Sequence, residues 1–263
     1  MILNYLRDIV KYTTKLGANS VKISGDNGVV TVEACDETNK TVVIKGTLIK
    51  PSPDLEGICG LSDLEWLTSY VNAYKHKDDV ATVIRKEKTF NQQMNDSDGN
   101  ALVDENGEVK TESITKNMIE EIHFARGTQM KNQYRVMDTR LLPEQPKFGG
   151  LPWAIEIEPT KQAIDLLSTQ SGFGVETEFG VVTDENTLYL TFGSSAVIEF
   201  AYDVEGTLDK PWRWETKRVL DILKLSNDAE CKMGFSDKGA MQITLNSGLA
   251  EYNYIVPAKA KSN

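Results

Sequence analysis

The order of predicted elements occurs twice in this chain, once on each side of a segment dense in proline and glycine. Residues 138–152 hold Pro143, Pro146, Pro152 and the pair Gly149-Gly150. That is linker chemistry, because proline fixes φ and glycine frees it. Before it, apolar periodicity predicts a helix over residues 2–16, strands over 20–24, 28–34 and 41–49, and a very short strand over 57–60. A second helix over 62–75 and strands over 79–87, 118–126 and 132–137 complete the first half. The second half reads as a strand (153–158), a helix (159–169) with Pro159 at its start, strands (174–182, 186–192, 196–203), a helix (214–225) and a closing three-strand meander. From Ile2 to Ser62 the two helix starts are 60 residues apart, and from Thr160 to Trp214 they are 54 apart. A repeated helix–strands–helix–strands order restricts the fold to two similar α+β units packed in layers.

Local signals support these elements. Leu3, Leu6, Val10 and Thr13 recur at helical spacing, Leu16 continues the row, and Gly17 is placed to end the helix. Ser62 with Glu65 three residues on spells a capping box ahead of the stripe Leu64, Leu67, Val71 and Tyr74. Gly25-Asp26-Asn27, the polar run 36–40, Asp237-Lys238-Gly239 and Asn246-Ser247-Gly248 are turn sequences. Residues 88–116 are polar, and Asn106-Gly107 stands between Ala101-Leu102-Val103 and Glu108-Val109-Lys110. They predict an extended, partly mobile hairpin projecting from the body.

Composition excludes several classes. At 40% hydrophobic and 26% charged residues the chain is of ordinary globular type. No apolar run approaches the ~20 residues of a membrane span, and the first residues lack the pattern of a signal peptide. Three widely spaced cysteines, Cys35, Cys59 and Cys231, suit free thiols in a reducing compartment and predict a cytoplasmic protein. No nucleotide-binding, nucleophile-elbow or zinc-protease motif occurs. His76 and His123 stand alone, and Asp96-Ser97-Asp98-Gly99-Asn100 fails the calcium-loop pattern, with glycine fourth where it should be sixth. No cofactor, metal site or catalytic residue is expected.

The charge pattern is more informative. The chain carries 39 acidic and 29 basic residues, a net charge of −10, which argues against a protein basic all over. Yet Arg7, Lys11 and Lys15 line one face of the first helix, and Lys217, Arg218, Asp221 and Lys224 one face of the last. Either face alone reads as a solvated amphipathic surface; two in matching halves point to weak, sequence-independent contact with phosphates. Lys161 on the third helix and Lys75 at the end of the second are sparser.

The final helix, the meander and the ending Tyr254-Ile255-Val256-Pro257 resemble the C-terminal part of the DNA polymerase sliding clamps, the family of proliferating cell nuclear antigen and the phage clamps. Tyr134-Arg135-Val136-Met137-Asp138, followed by Leu141-Leu142-Pro143-Glu144-Gln145, is similar to that family's first-domain end and interdomain connector. The stretch from Gly60 to Leu67 and the strand from Asp79 to Ile84 resemble the matching helix and strand. The resemblance implies two tandem clamp domains, residues 1–140 and 153–263, joined by a connector over 141–152. Each carries two helices on antiparallel sheets, and three chains close a ring. It implies a non-enzymatic processivity factor, a phage or viral member by its divergence, that encircles double-stranded DNA in the host cytoplasm. Arg7, Lys11, Lys15, Lys161, Lys217, Arg218 and Lys224 would face DNA. Leu141, Leu142, Tyr254, Val256 and Pro257 would form a pocket for polymerase and clamp-loader peptides. Tyr134 and Val136 on one strand, with Val197, Ile198 and Phe200 on another, would form the subunit contact. The alternatives are a duplicated β-rich scaffold with no DNA role, and a metal-dependent nucleic-acid enzyme. A dimer would use the same edge strands as a trimer.

Overall fold

The computed structural model describes residues 2–259 apart from 27, 37–41, 51, 97–99, 145, 147, 175 and 229. The first half contains α1 (Ile2–Thr14), β1 (Val21–Asp26), β2 (Val29–Cys35), β3 (Val43–Leu48), β4 (Gly57–Leu61), α2 (Leu64–Ala73), β5 (Asp79–Gln93), β6 (Thr111–Arg126) and β7 (Met130–Arg135). The second contains β8 (Ile155–Ile157), α3 (Lys161–Gly172), β9 (Glu178–Asp184), β10 (Thr187–Phe192), β11 (Ala196–Ala201), β12 (Arg213–Glu215), α4 (Thr216–Leu223), β13 (Glu230–Ser236), β14 (Ala240–Asn246) and β15 (Ala250–Pro257). The turn expected over 36–40 and the middle of the calcium-like loop fall mostly outside the described residues.

Strand order repeats as element order does. The first half has β4-β1-β2-β3 and β5-β6-β7; the second has β12-β9-β10-β11 and β13-β14-β15, with β8 added beside β13. All pairs are antiparallel. The halves fuse where β3 pairs with β15, in register from Ile255↔Val43 to Ala250↔Leu48, so one eight-stranded sheet crosses the molecule. Alternation along β15 turns Ala250, Tyr252, Tyr254 and Val256 toward the helices. Tyr252 stacks on Tyr12 of α1 at 4.8 Å between ring centroids, and the Tyr254 hydroxyl donates to the Tyr12 carbonyl at 2.7 Å. Half-buried Asp8 accepts from the Ser247 and Tyr252 hydroxyls, each at 2.9 Å. Burial lifts its carboxyl above the ordinary range against those bonds.

Several local expectations are corrected. The N-cap of α2 is Asp63 in the left-handed region (φ 51°), with no side-chain cap, so the Ser62–Glu65 capping box does not form. The Leu64 N–H is taken by the Asn19 carbonyl, and the Ser62 carbonyl by the Tyr134 hydroxyl. Thr160 caps α3 through Ala163 N–H, which puts Pro159 outside the helix. Trp214 lies in β12 opposite Phe179, and α4 begins only at Thr216.

The long hairpin is continuous with the body: β5 and β6 pair from Asp79↔Arg126 out to Gln93↔Thr111. Beyond them Met94 and Leu102 bond, as do Leu102 and Lys110, and Gly107 (φ 82°) closes the tip on Asp104. At the base, Arg126 donates to both carboxylate oxygens of Asp79 (2.7 and 2.9 Å), which also accepts from His76 N–H at 2.7 Å. The Arg126 bond holds the Asp79 carboxyl down at about 2, against an ordinary 3.8. A carboxyl depressed in the folded state stabilises above its unfolded value, and that contribution is lost as pH falls through the folded one. Asp79→Asn is therefore expected to flatten the acid-side fall in stability between about pH 4 and pH 2, read as urea midpoints across that range.

Candidate functional site

Three surfaces gather the residues singled out by sequence. The first is the helix layer. Lys11, Lys15, Lys161, Lys217 and Lys224 are all exposed on or beside α1, α3 and α4. The two arginines assigned to the same role are instead tied into the fold. Arg7 donates to the carbonyls of Val71 (3.2 Å) and Tyr74 and to the Asn4 side chain (3.1 Å), so its charge sits on the C-terminal carbonyls of α2. Arg218 pairs with Asp36 at 3.6 Å and Glu215 at 3.8 Å. The Arg7 contacts also bring the exposed Lys75 and Lys77, just past α2, beside the polar face of α1.

The second surface is a pair of strand edges. In the duplicated order β7 is the counterpart of β15, and β11 of β3. The two pairs differ in their neighbours: β15 and β3 are bonded to each other, while β7 and β11 each end a sheet. Tyr134 and Phe200 are buried in their own halves, Val136 and Ile198 are half-buried, and Val197 is exposed. A groove of about 750 Å³ runs between β11 and the start of α3, with Ala163, Leu166, Ile198 and Phe200 in its wall.

The third surface lies under the connector, on the sheet face turned away from the helices. There Lys22, Glu33 and Lys45 form a cross-strand row, with Lys22 and Glu33 paired at 3.2 Å. The connector passes over the row, and Lys45 donates to the Phe148 carbonyl at 3.2 Å. Between them is a cavity of about 640 Å³ lined by Arg140, Leu142, Pro143, Pro146 and Phe148 besides that row. Gly60 permits the approach, since a Cβ there would meet the Met137 carbonyl at 2.9 Å and Leu142 at 3.0 Å. Asp138 is bound by Arg140 at 2.6 Å, which holds its carboxyl at about 2, and Arg140 lies over the Phe90 ring of the hairpin at 5.9 Å.

Of the pocket residues expected from sequence, Leu142 lines this cavity, Leu141 is 73% exposed and Pro257 is exposed. Tyr254 and Val256 are corrected: both are buried on the helix side of β15, where strand alternation turns them from the connector. Phe148 was missed, although an aromatic in a proline-glycine segment was the available signal. Among the described residues, no three His, Cys, Asp or Glu side chains gather as a metal site, and no helix is long and apolar enough to cross a membrane.

No protein-family model and no curated protein matches the sequence. The fold does match solved structures. One is A. fulgidus PCNA with the C-terminal region of FEN-1 bound, at a TM-score of 0.68 and 10% identity over 99% of this chain and 97% of that one. Another is the proliferating cellular nuclear antigen of Entamoeba histolytica, at 0.60 and 10% identity over 98% and 96%. The chain has the fold of the PCNA-type sliding clamps, with two tandem units of helices on antiparallel sheets.

Proposed function

We propose that this chain is a sliding clamp, a ring of three copies that encircles duplex DNA and tethers a polymerase. Its domains are residues 1–140 and 153–263, with 141–152 as connector. The observation that carries the reading is the joined seam β3·β15 together with the two edges that repeat it unjoined. Tyr134 matches Tyr254, since each faces an isoleucine of the neighbouring strand (Ile122, Ile243) and each donates its hydroxyl to a backbone carbonyl. Ala196 matches Ile44 through the inward residues Phe192 and Ala34. The Tyr254↔Ile44 register then sets Tyr134 against Ala196 of the next copy, Asn132 against Ile198, Gln133 against Val197 and Lys131 against Glu199. The last pair is of opposite charge, which favours a cross-strand neighbour. Closing the ring removes two unpaired edges.

The exposed lysines of the helix layer are its DNA face. A ring retains DNA by topology, so a few mobile cations suffice and no base is read. The connector groove takes an extended peptide of the polymerase or loader, with Leu142 and Phe148 as apolar walls. A phage or viral origin fits identities as low as 10% to the two PCNA structures.

Three measurements test the reading. Light scattering over a dilution series should give three times the 29.3 kDa chain mass. Ring loaded on nicked circular DNA should be retained in salt and released when the circle is cut; retention after cutting would exclude topological binding. Replacing Lys11, Lys15, Lys217 and Lys224 by alanine should leave the mass unchanged. It should lower the log–log salt slope of DNA association by about one for each lysine that meets phosphate.

A further inference from the structure

The helices beside the joined seam are buried far more fully than their counterparts beside the open edges. α1 buries eight side chains and α4 five, whereas α3 buries two and α2 three. At the joined seam each helix reaches across: Tyr12 of α1 stacks on Tyr252 of the other half, and Arg218 of α4 meets Asp36. At the open edges large apolar side chains stand in solvent, with Trp66 of α2 67% exposed and Phe173, just after α3, 66% exposed.

The duplication places these two aromatics together. Leu64, Leu67 and Val71 of α2 have the same buried spacing as Thr216, Val219 and Leu223 of α4, so Trp66 holds the position of Arg218. Arg218 reaches Asp36, the residue that follows β2. The corresponding place in the second half is the turn after β10, residues 193–195. Glu176, three residues after Phe173 in sequence, sits so near Gly193 of that turn that a Cβ there would meet its carboxylate at 2.5 Å, which ties the chain leaving α3 to this end of β10. Trp66 and Tyr70 share one flank of α2, and Tyr70 rests on Phe124 of β6, so this flank faces the β6–β7 side.

We propose that Trp66 of one copy packs against Phe173 of the next, an aromatic lock in the helix layer behind the β7–β11 strand pair. The occupant of both exposed patches is a second copy of this chain, and neither aromatic is a DNA contact. The inference rests on the edge-to-edge reading above and adds to it the residues that seal the inner side. An exposed tryptophan buried at the centre of an interface is the kind of residue on which affinity concentrates.

The test is a dilution series by light scattering on Trp66→Ala, Phe173→Ala and the double variant, beside the strand-edge variant Ile198→Glu. Each single aromatic change should raise the subunit dissociation constant about 30-fold. The double variant should be little worse than either single, because both remove one contact. Unfolding monitored by circular dichroism at a dilution where the natural chain is already dissociated should hardly move, since both side chains are solvent-exposed in the single chain. Assembly lost in Ile198→Glu but kept in Trp66→Ala overturns the lock and leaves the ring intact. A natural chain that is monomeric at every concentration removes the ring itself. Additive single effects place the two aromatics apart, and a Trp66→Ala ring of full mass that no longer holds DNA makes Trp66 a DNA contact. Each of these outcomes overturns the proposal.

Discussion

Trp214→Ala is expected to cost about 4 kcal/mol of unfolding free energy, the range seen when large aromatics are removed from cores. Trp214 is wholly buried, with its ring 6.2 Å from Phe179 and 5.6 Å from Phe235 between centroids. Phe179 belongs to the β9 sheet and Phe235 to the β13 sheet, so the indole joins the two layers of the second half. Its Nε1 also donates to the Val256 carbonyl at 3.3 Å. Alanine removes the ring contacts, leaves a cavity between two sheets and strands that carbonyl. Trp214→Phe should cost markedly less, because most of the volume returns and the hydrogen bond alone is worth about 1 kcal/mol. Urea unfolding of the two variants checks the order. A loss under 1 kcal/mol for the alanine variant would show that the layers do not depend on this ring. The position also matters for function: β12 runs straight into α4, which presents Lys217, so loosening Trp214 should blur the lysine face before the chain unfolds globally.

How legible this molecule is in its sequence depends on whether the deciding contact is local. The α1 stripe, the Gly17 stop, the turns of the closing meander and the Gly107 tip of the long hairpin rest on neighbours within a few residues, and all stand in the structure. The duplicated order was legible too, since it is a property of the whole pattern. What sequence reading missed is set from far away. No breaker separates Trp214 from the helical run that begins at Thr216, and only its pairing with Phe179 makes it a strand residue. The Ser62 cap fails because Asn19 and Tyr134 take the backbone groups around it. Tyr254 and Val256 lie on the helix side because β15 joins β3 from the other half, and nothing near residue 254 announces which face that join will cover. Arg7 and Arg218 occupy the polar stripes correctly, yet their long side chains reach the end of α2 and Asp36 instead of solvent. Lysines at the same helical spacing remain exposed, in keeping with a planar guanidinium's preference for fixed partners.

Ile198→Glu is expected to abolish assembly while leaving the single chain folded. Ile198 points to the helix side of β11 and is only half-buried in one copy. In the proposed register it faces Asn132 of the next copy and becomes interior when β7 arrives. A carboxylate there must lose its water with no cation opposite, at a cost of several kcal/mol. Each 1.4 kcal/mol is a factor of ten in affinity, and the same change falls at every seam of a closed ring, so even a partial penalty should yield monomers at micromolar concentration. The register has its own check in the outer-face pair. Lys131→Glu and Glu199→Lys should each weaken the ring by setting like charges opposite one another, and the double exchange should restore most of the loss. If the exchange restores nothing while Ile198→Glu still gives monomers, the two edges meet in a shifted register. If Ile198→Glu assembles normally, β11 is not the seam, and the template offered by β3 and β15 does not extend to the contact between copies.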